Sequence, residues 1–126
     1  MILYRGTKRP EPRPRSKEYP CIFMSWKFRH AEDYALNESS TGYVQEYNVG
    51  PQDLLDIMSK HAQELARIYL GRKVVRHDDL VDLFWFPELD WVGLVSSFGY
   101  TGLSEDRNIC IFDASRAKLL RRWKVP

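Results

Sequence analysis

The chain of 126 residues predicts a single α+β domain, with strands towards both ends and helices in the middle. Three observations carry this expectation. Residues 43–49 alternate, with Tyr43, Gln45, Tyr47 and Val49 on one face and Val44, Glu46 and Asn48 on the other; period two is the signature of a strand. Residues 51–70 place Leu54, Leu55, Ile57, Met58, Ala62, Leu65, Ala66, Ile68 and Tyr69 at helical spacing. Short apolar runs at 2–4, 22–24 and 109–112 are bounded by charged or turn-forming residues, as buried strands are. A chain of this length fits one core, so residues 1–126 read as one domain.

In chain order, Ile2, Leu3 and Tyr4 form a first strand that stops at Gly6. Residues 8–20 hold four prolines among many charges. Each proline removes a backbone donor, so this stretch is a proline-rich loop. A second strand follows at Ile22, Phe23 and Met24. Residues 28–36 predict a brief helix with Ala31, Tyr34 and Ala35 on one side, interrupted by Ser39, Ser40, Thr41 and Gly42. After the alternating strand, Pro51 suits a first helical turn and Gly71 a helix end, so one long helix is expected over 51–70. A further helix begins at Asp78 or Asp79, carries Leu80, Val81, Leu83 and Phe84, and is broken by Pro87. Residues 89–98 fit a short helix or a buried strand. Residues 99–102 mark a turn, and 109–112 a buried strand. Asp113, Ala114 and Ser115 turn the chain into a last, partly basic segment over 119–125.

Composition excludes several classes. A hydrophobic fraction of 44% with 29% charged residues argues against wholesale disorder. A net charge of +2 is too small to imply nucleic-acid binding. Lys8, Arg9, Arg13, Arg15 and Lys17 near the start and Arg116, Lys118, Arg121, Arg122 and Lys124 near the end either solvate two ends, the preferred reading, or form one face. Cys21 and Cys110 each sit in an apolar run, where a free thiol packs as a small hydrophobe, and no Cys/His spacing suggests a metal. The opening MILYRGT has no long apolar segment of the secretory kind. The longest uncharged apolar stretch, 91–100, is too short to span a bilayer. The expectation is a cytoplasmic protein in a reducing compartment.

Three places set polar residues beside core strands. In Tyr4-Arg5-Gly6-Thr7, a strand-end arginine can fork onto a phosphate, and glycine lets a ligand reach bare backbone. In Phe23-Met24-Ser25-Trp26 and the following Ala31-Glu32-Asp33-Tyr34-Ala35, the Ser25 hydroxyl can orient a carboxylate or bond a ribose. Trp26 and Tyr34 can stack on a flat ring, although aromatics in so small a domain are more often core. In the run from Gly99 to Asp106, Glu105 and Asp106 are the acids nearest the strand at 109–112. A carboxylate there can stabilise positive charge at an anomeric carbon; a solvated acidic loop is the plainer reading. His30 lies near the proposed cleft, within reach of a phosphate. His61 and His77 read as helix-surface residues, and no histidine is taken as a general base.

The order of these pieces resembles the ADP-ribosyltransferase superfamily, in its compact bacterial and phage-type form. LYRGT, a short strand ending in Ser, AEDYA, GYVQEYNV, and then GYTGL followed by NICIFDASRAKLL carry the resemblance, over residues 1–49 and 99–120. It implies a split β-sheet core with helices packed around it. The implied activity is NAD-dependent mono-ADP-ribosylation of a host macromolecule, a protein before a nucleic acid, by a toxin, effector or phage protein. Arg5 would contact NAD phosphate or ribose, aided by Tyr4 and Thr7. Gly6 would offer backbone groups to the nicotinamide amide. Ser25 would hold the catalytic carboxylate, and Tyr34 and Trp26 would stack on the cofactor. An acid before the late strand would bond the ribose 2′-hydroxyl. The sequence departs from the family there, because Asn108 stands where a glutamate is usual. Either Glu105 or Asp106 takes the role, Asp106 being nearer the strand, or transfer is weakened. A catalytically inactive binding module on the same fold and an RNA-directed transferase are the alternatives.

Overall fold

The computed structural model describes residues 1–8, 21–37, 40–113, 115 and 117–125. Among these residues the chain forms seven strands and four helices, an α+β fold. Most of the proline-rich loop, and the basic residues Arg9, Arg13, Arg15, Lys17 and Arg116, lie outside the described residues. The strands are β1 (Ile2–Thr7), β2 (Ile22–Ser25), β3 (Gly42–Asn48), β4 (Leu54–Asp56), β5 (Gly102–Glu105), β6 (Asn108–Ile111) and β7 (Lys118–Val125). They make one sheet in the order β4-β5-β6-β2-β1-β3-β7. All neighbours are antiparallel except β4 and β5.

The sheet has two firmly laddered parts. β1, β3 and β7 pair along nearly their whole lengths, as do β2, β6 and β5. Between the two parts the described register contains one position, Tyr4 opposite Ser25. The sheet is therefore narrowest where β1 meets β2.

Both faces of the sheet are covered. Side chains alternate along a strand, and directly opposed residues share a face. On one face, α1 (Phe28–Ala35) packs against β1 and β3 through Ala31, Ala35 and Val44, with Val125 of β7 alongside. On the same face, α2 (Lys60–Leu70), α3 (His77–Trp85) and α4 (Leu89–Ser97) enclose Leu55, Leu65, Phe84, Trp91, Leu103 and Cys110. The other face carries Leu3, Met24, Tyr47, Val49, Ile109 and Ile111. This second apolar layer explains why β3 reads as amphipathic by sequence yet is buried on both sides.

Two expectations are corrected. The helix expected over 51–70 begins only at Lys60, and Leu54, Leu55 and Asp56 instead form β4. β4 pairs in parallel with Gly102, Leu103 and Ser104, sending Leu54 to one face and Leu55 to the other. Leu-Leu-Asp-Ile-Met satisfies either period, and the distant strand decides. The helix then starts at Ser59, whose hydroxyl accepts the Ala62 N–H at 3.2 Å, an N-cap. Gly71 ends it in the left-handed region at φ 66°, as expected. The second correction is β5, which replaces the turn and loop expected from Gly102 to Glu105. A Cβ at Gly102 would strike the Cys110 carbonyl oxygen, so this strand needs glycine for its close approach to β6. Residues 89–97, left open between helix and strand, are helical.

Candidate functional site

The register assembles one polar row across the helical face. Glu105 of β5 lies opposite Asn108 of β6, Asn108 opposite Ser25 of β2, and Ser25 opposite Tyr4 of β1. Tyr4 in turn faces Glu46 of β3, which faces Arg121 of β7. Four residues expected at a site, from three separate stretches of sequence, are thus brought side by side by strand pairing alone.

Hydrogen bonds tie the row together. The Asn108 side-chain amide donates towards Glu105 Oε2 at 3.5 Å. His30, on α1 above the row, places Nε2 3.0 Å from Asn108 Oδ1. Ser25 is 3% exposed, and its hydroxyl accepts the Lys27 N–H at 3.3 Å. At the far end Arg121 Nε donates to the buried Glu46 carboxylate at 3.3 Å, and its guanidinium lies 5.4 Å from the Trp123 ring centre. The Trp26 N–H donates to the Arg107 carbonyl at 3.4 Å, holding the exposed Trp26 against the β5–β6 hairpin.

Aromatic rings pack at Tyr4 and beside Ser25. Tyr4 meets Phe28 of α1 edge-to-face at 5.8 Å. Phe23, two residues before Ser25 and so on its face, stacks on Trp85 of α3 at 5.3 Å and 25°. Tyr34 is 67% exposed on α1. The sequence named Tyr34 and Trp26 but gave no signal for Trp85, which reaches Phe23 because α3 packs against the sheet.

The structure separates the rest of the expected site. Arg5 and Thr7 have the opposite parity to Tyr4, so they stand on the other face of β1 from Ser25, Asn108 and Glu105. There Arg5 acts on Tyr47: burial raises the Tyr47 phenol above its ordinary value of 10.0, and the Arg5 charge partly offsets that rise. The Tyr47 hydroxyl donates to the fully buried Gln45 at 2.7 Å. Arg5 therefore does not share a cleft with Ser25, contrary to expectation, because alternate residues of a strand cannot face one way.

Gly6 is also corrected. It is buried, and a Cβ there would run into the Ala31 carbonyl oxygen and come within 2.8 Å of the Ala35 nitrogen. On the helical face the space beside it belongs to α1, so no ligand approaches Gly6 from that side. Gly6 lets the helix touch the strand.

Of the two acids, Glu105 belongs to the row. Asp106 is exposed in the two-residue β5–β6 turn, with a left-handed φ of 51°. Asp tolerates that conformation where most residues do not. The sequence preference for Asp106 followed distance along the chain; a hairpin turn sends that residue away from the sheet face.

Among the described residues, no group of three His, Cys, Asp or Glu side chains is arranged to hold a metal ion, and no helix is long and apolar enough to cross a membrane. No protein family, curated protein or solved structure matches the chain.

Proposed function

We propose that this protein is an NAD-dependent mono-ADP-ribosyltransferase with Glu105 as its carboxylate and NAD as its substrate. The carrying observation is the cross-strand row Glu105–Asn108–Ser25–Tyr4, which lines up a carboxylate, an amide and a hydroxyl across β5, β6 and β2 and ends at the narrow junction of β2 with β1. Such a set suits the hydroxyls of a ribose. Trp85, Trp26 and Tyr34 supply aromatic surface for flat rings.

In the proposed reaction the C1′–nitrogen bond of NAD breaks, and its electron pair leaves with nicotinamide. The ribose is left as an oxocarbenium-like cation. Glu105 stabilises that charge and accepts a hydrogen bond from the 2′-hydroxyl, an interaction stronger in the transition state than in the ground state. The acceptor nucleophile, on a host protein in this reading, then bonds C1′ and loses its proton to solvent. Arg5 takes no part on this face. The expected cytoplasmic setting belongs to the same proposal.

The test is nicotinamide release from NAD by purified protein, with and without a host lysate. Glu105→Ala is expected to lower release on the order of 100-fold or more, and Asp106→Ala to leave it within a few-fold. Equal loss in both variants would remove the assignment to Glu105. No release and no NAD binding by the wild type would remove the transferase reading in favour of the inactive binding module, which an amide at position 108 also suits.

A further inference from the structure

We propose that His30 is a positioning residue that holds Glu105 in place by acting through the Asn108 amide. This rests on the reading of Glu105 as the site carboxylate.

The polarity of the hydrogen bonds carries it. An ionised carboxylate only accepts, so the Asn108 atom turned towards Glu105 must be its NH2. The amide is planar, so Oδ1 points the opposite way, where His30 Nε2 stands 3.0 Å off. A carbonyl oxygen also only accepts, so Nε2 carries the proton. The chain runs in one direction, from the His30 N–H to the Asn108 oxygen and from the Asn108 NH2 to Glu105. The two links differ in strength. At 3.0 Å the histidine bond is short and well formed, whereas 3.5 Å to Glu105 lies at the weak limit. The amide plane is therefore fixed from the histidine end, and the carboxylate takes up the direction so imposed.

Backbone geometry makes such support necessary. Glu105 ends β5 and Asn108 starts β6, across the Asp106–Arg107 turn. A long side chain at a hairpin end loses rotamer freedom only if something holds it. α1 is a firm mount, because Ala31 and Ala35 bury its sheet-facing side against β1 and β3. Asparagine also has a purpose at position 108. It is the cross-strand partner of Glu105, where an acid would repel the carboxylate directly.

The test uses the intact protein with two readouts. In nuclear magnetic resonance spectra, the Asn108 side-chain NH2 pair and the Glu105 carboxyl carbon are followed in wild type, His30→Ala and His30→Gln. Glutamine retains an N–H donor of similar reach. His30→Ala is expected to move the amide pair towards the position of a free asparagine and to shift the Glu105 carbon. His30→Gln is expected to keep both near wild type. In the nicotinamide-release assay, kcat is expected to fall roughly tenfold to a hundredfold in His30→Ala, with KM within twofold and substantial recovery in His30→Gln. Unmoved amide and carboxyl signals in His30→Ala would overturn the proposal. So would signals that move while kcat stays at the wild-type value. If the wild type releases no nicotinamide, the transferase reading falls alone, and the two spectroscopic signals still decide whether His30 positions Glu105.

Discussion

Asn108 is the residue on which the local chemistry turns. It sits between Ser25 and Glu105 in the row, donates to one neighbour and accepts from His30. Replacing it by aspartate changes a donor into an acceptor with almost no change in size. Two carboxylates would then stand opposite each other in a hairpin, and such a pair raises the pKa of at least one member. In Asn108→Asp at least one of the two carboxyl carbons, at positions 105 and 108, is expected to titrate above the ordinary carboxylate range, and nicotinamide release is expected to fall. Ordinary titration of both carboxyl carbons would show that the two side chains do not meet. The identity of this residue was legible in the sequence as a departure from a pattern. Its histidine partner was not, because His30 is 78 positions away.

At the level of single elements, local signals decided where helices begin and end, with one exception. α3 begins within a residue or two of the expected start. Its first turn holds Asp78 and Asp79, acids that complement the helix dipole. Asp79 accepts the Arg76 N–H at 3.0 Å and pairs with Arg72 at 3.2 Å. The Arg76 backbone bond first, and the Arg72 charge with it, hold the Asp79 carboxyl below its ordinary value of 3.8. A lowered folded value means that the ionised form favours the folded state. Its contribution is present above the ordinary value and is lost as pH falls through the lower folded one. The melting temperature of Asp79→Asn is therefore expected to lie below wild type at neutral pH and to converge on it below about pH 4. A gap that stays constant on acidification would contradict this cause. The exception is β4, hidden inside an apparent helical pattern. Three residues are too few for period to discriminate, and the parallel partner that selects the strand lies 48 positions ahead.

Across the whole molecule, the contact between α1 and the sheet joins the fold to the site, because the same helix carries His30. That contact depends on two glycines. Beside Gly6 the Ala31 carbonyl fills the space of a side chain, and beside Gly42 the Ala35 carbonyl oxygen would lie 2.6 Å from a Cβ. Backbone atoms on a packed helix cannot swing aside as a side-chain tip can. Gly6→Ala is expected to cost roughly 1–3 kcal/mol or more by overpacking and to disturb the His30–Asn108 bond as α1 shifts. Gly93, exposed within α4 with nothing within 4 Å of its Cβ position, is the contrast. Gly93→Ala is expected to be neutral or to stabilise by up to about 1 kcal/mol. Urea denaturation of both variants checks the pair, and equal effects would mean that helix–strand proximity does not set the cost.

The sequence by itself determined the α+β class, β1, β2, β3 and β6, the brief α1, the end of α2 at Gly71 and the start of α3 near Asp78. It also singled out Ser25, Glu105, Asn108 and Tyr4. These follow from local physics, since period, capping and chain punctuation act within a turn or a strand. Tertiary structure decided the rest. Register set Glu105 into the row and Asp106 into a turn. Strand alternation sent Arg5 and Thr7 to the far face, although they are chain neighbours of Tyr4. Helix packing took the space beside Gly6, and helix placement set His30 against Asn108, 78 positions along the chain, and stacked Trp85 on Phe23. Each outcome depends on which strand or helix lies alongside, and that is fixed by burial summed over the whole chain rather than by any one segment.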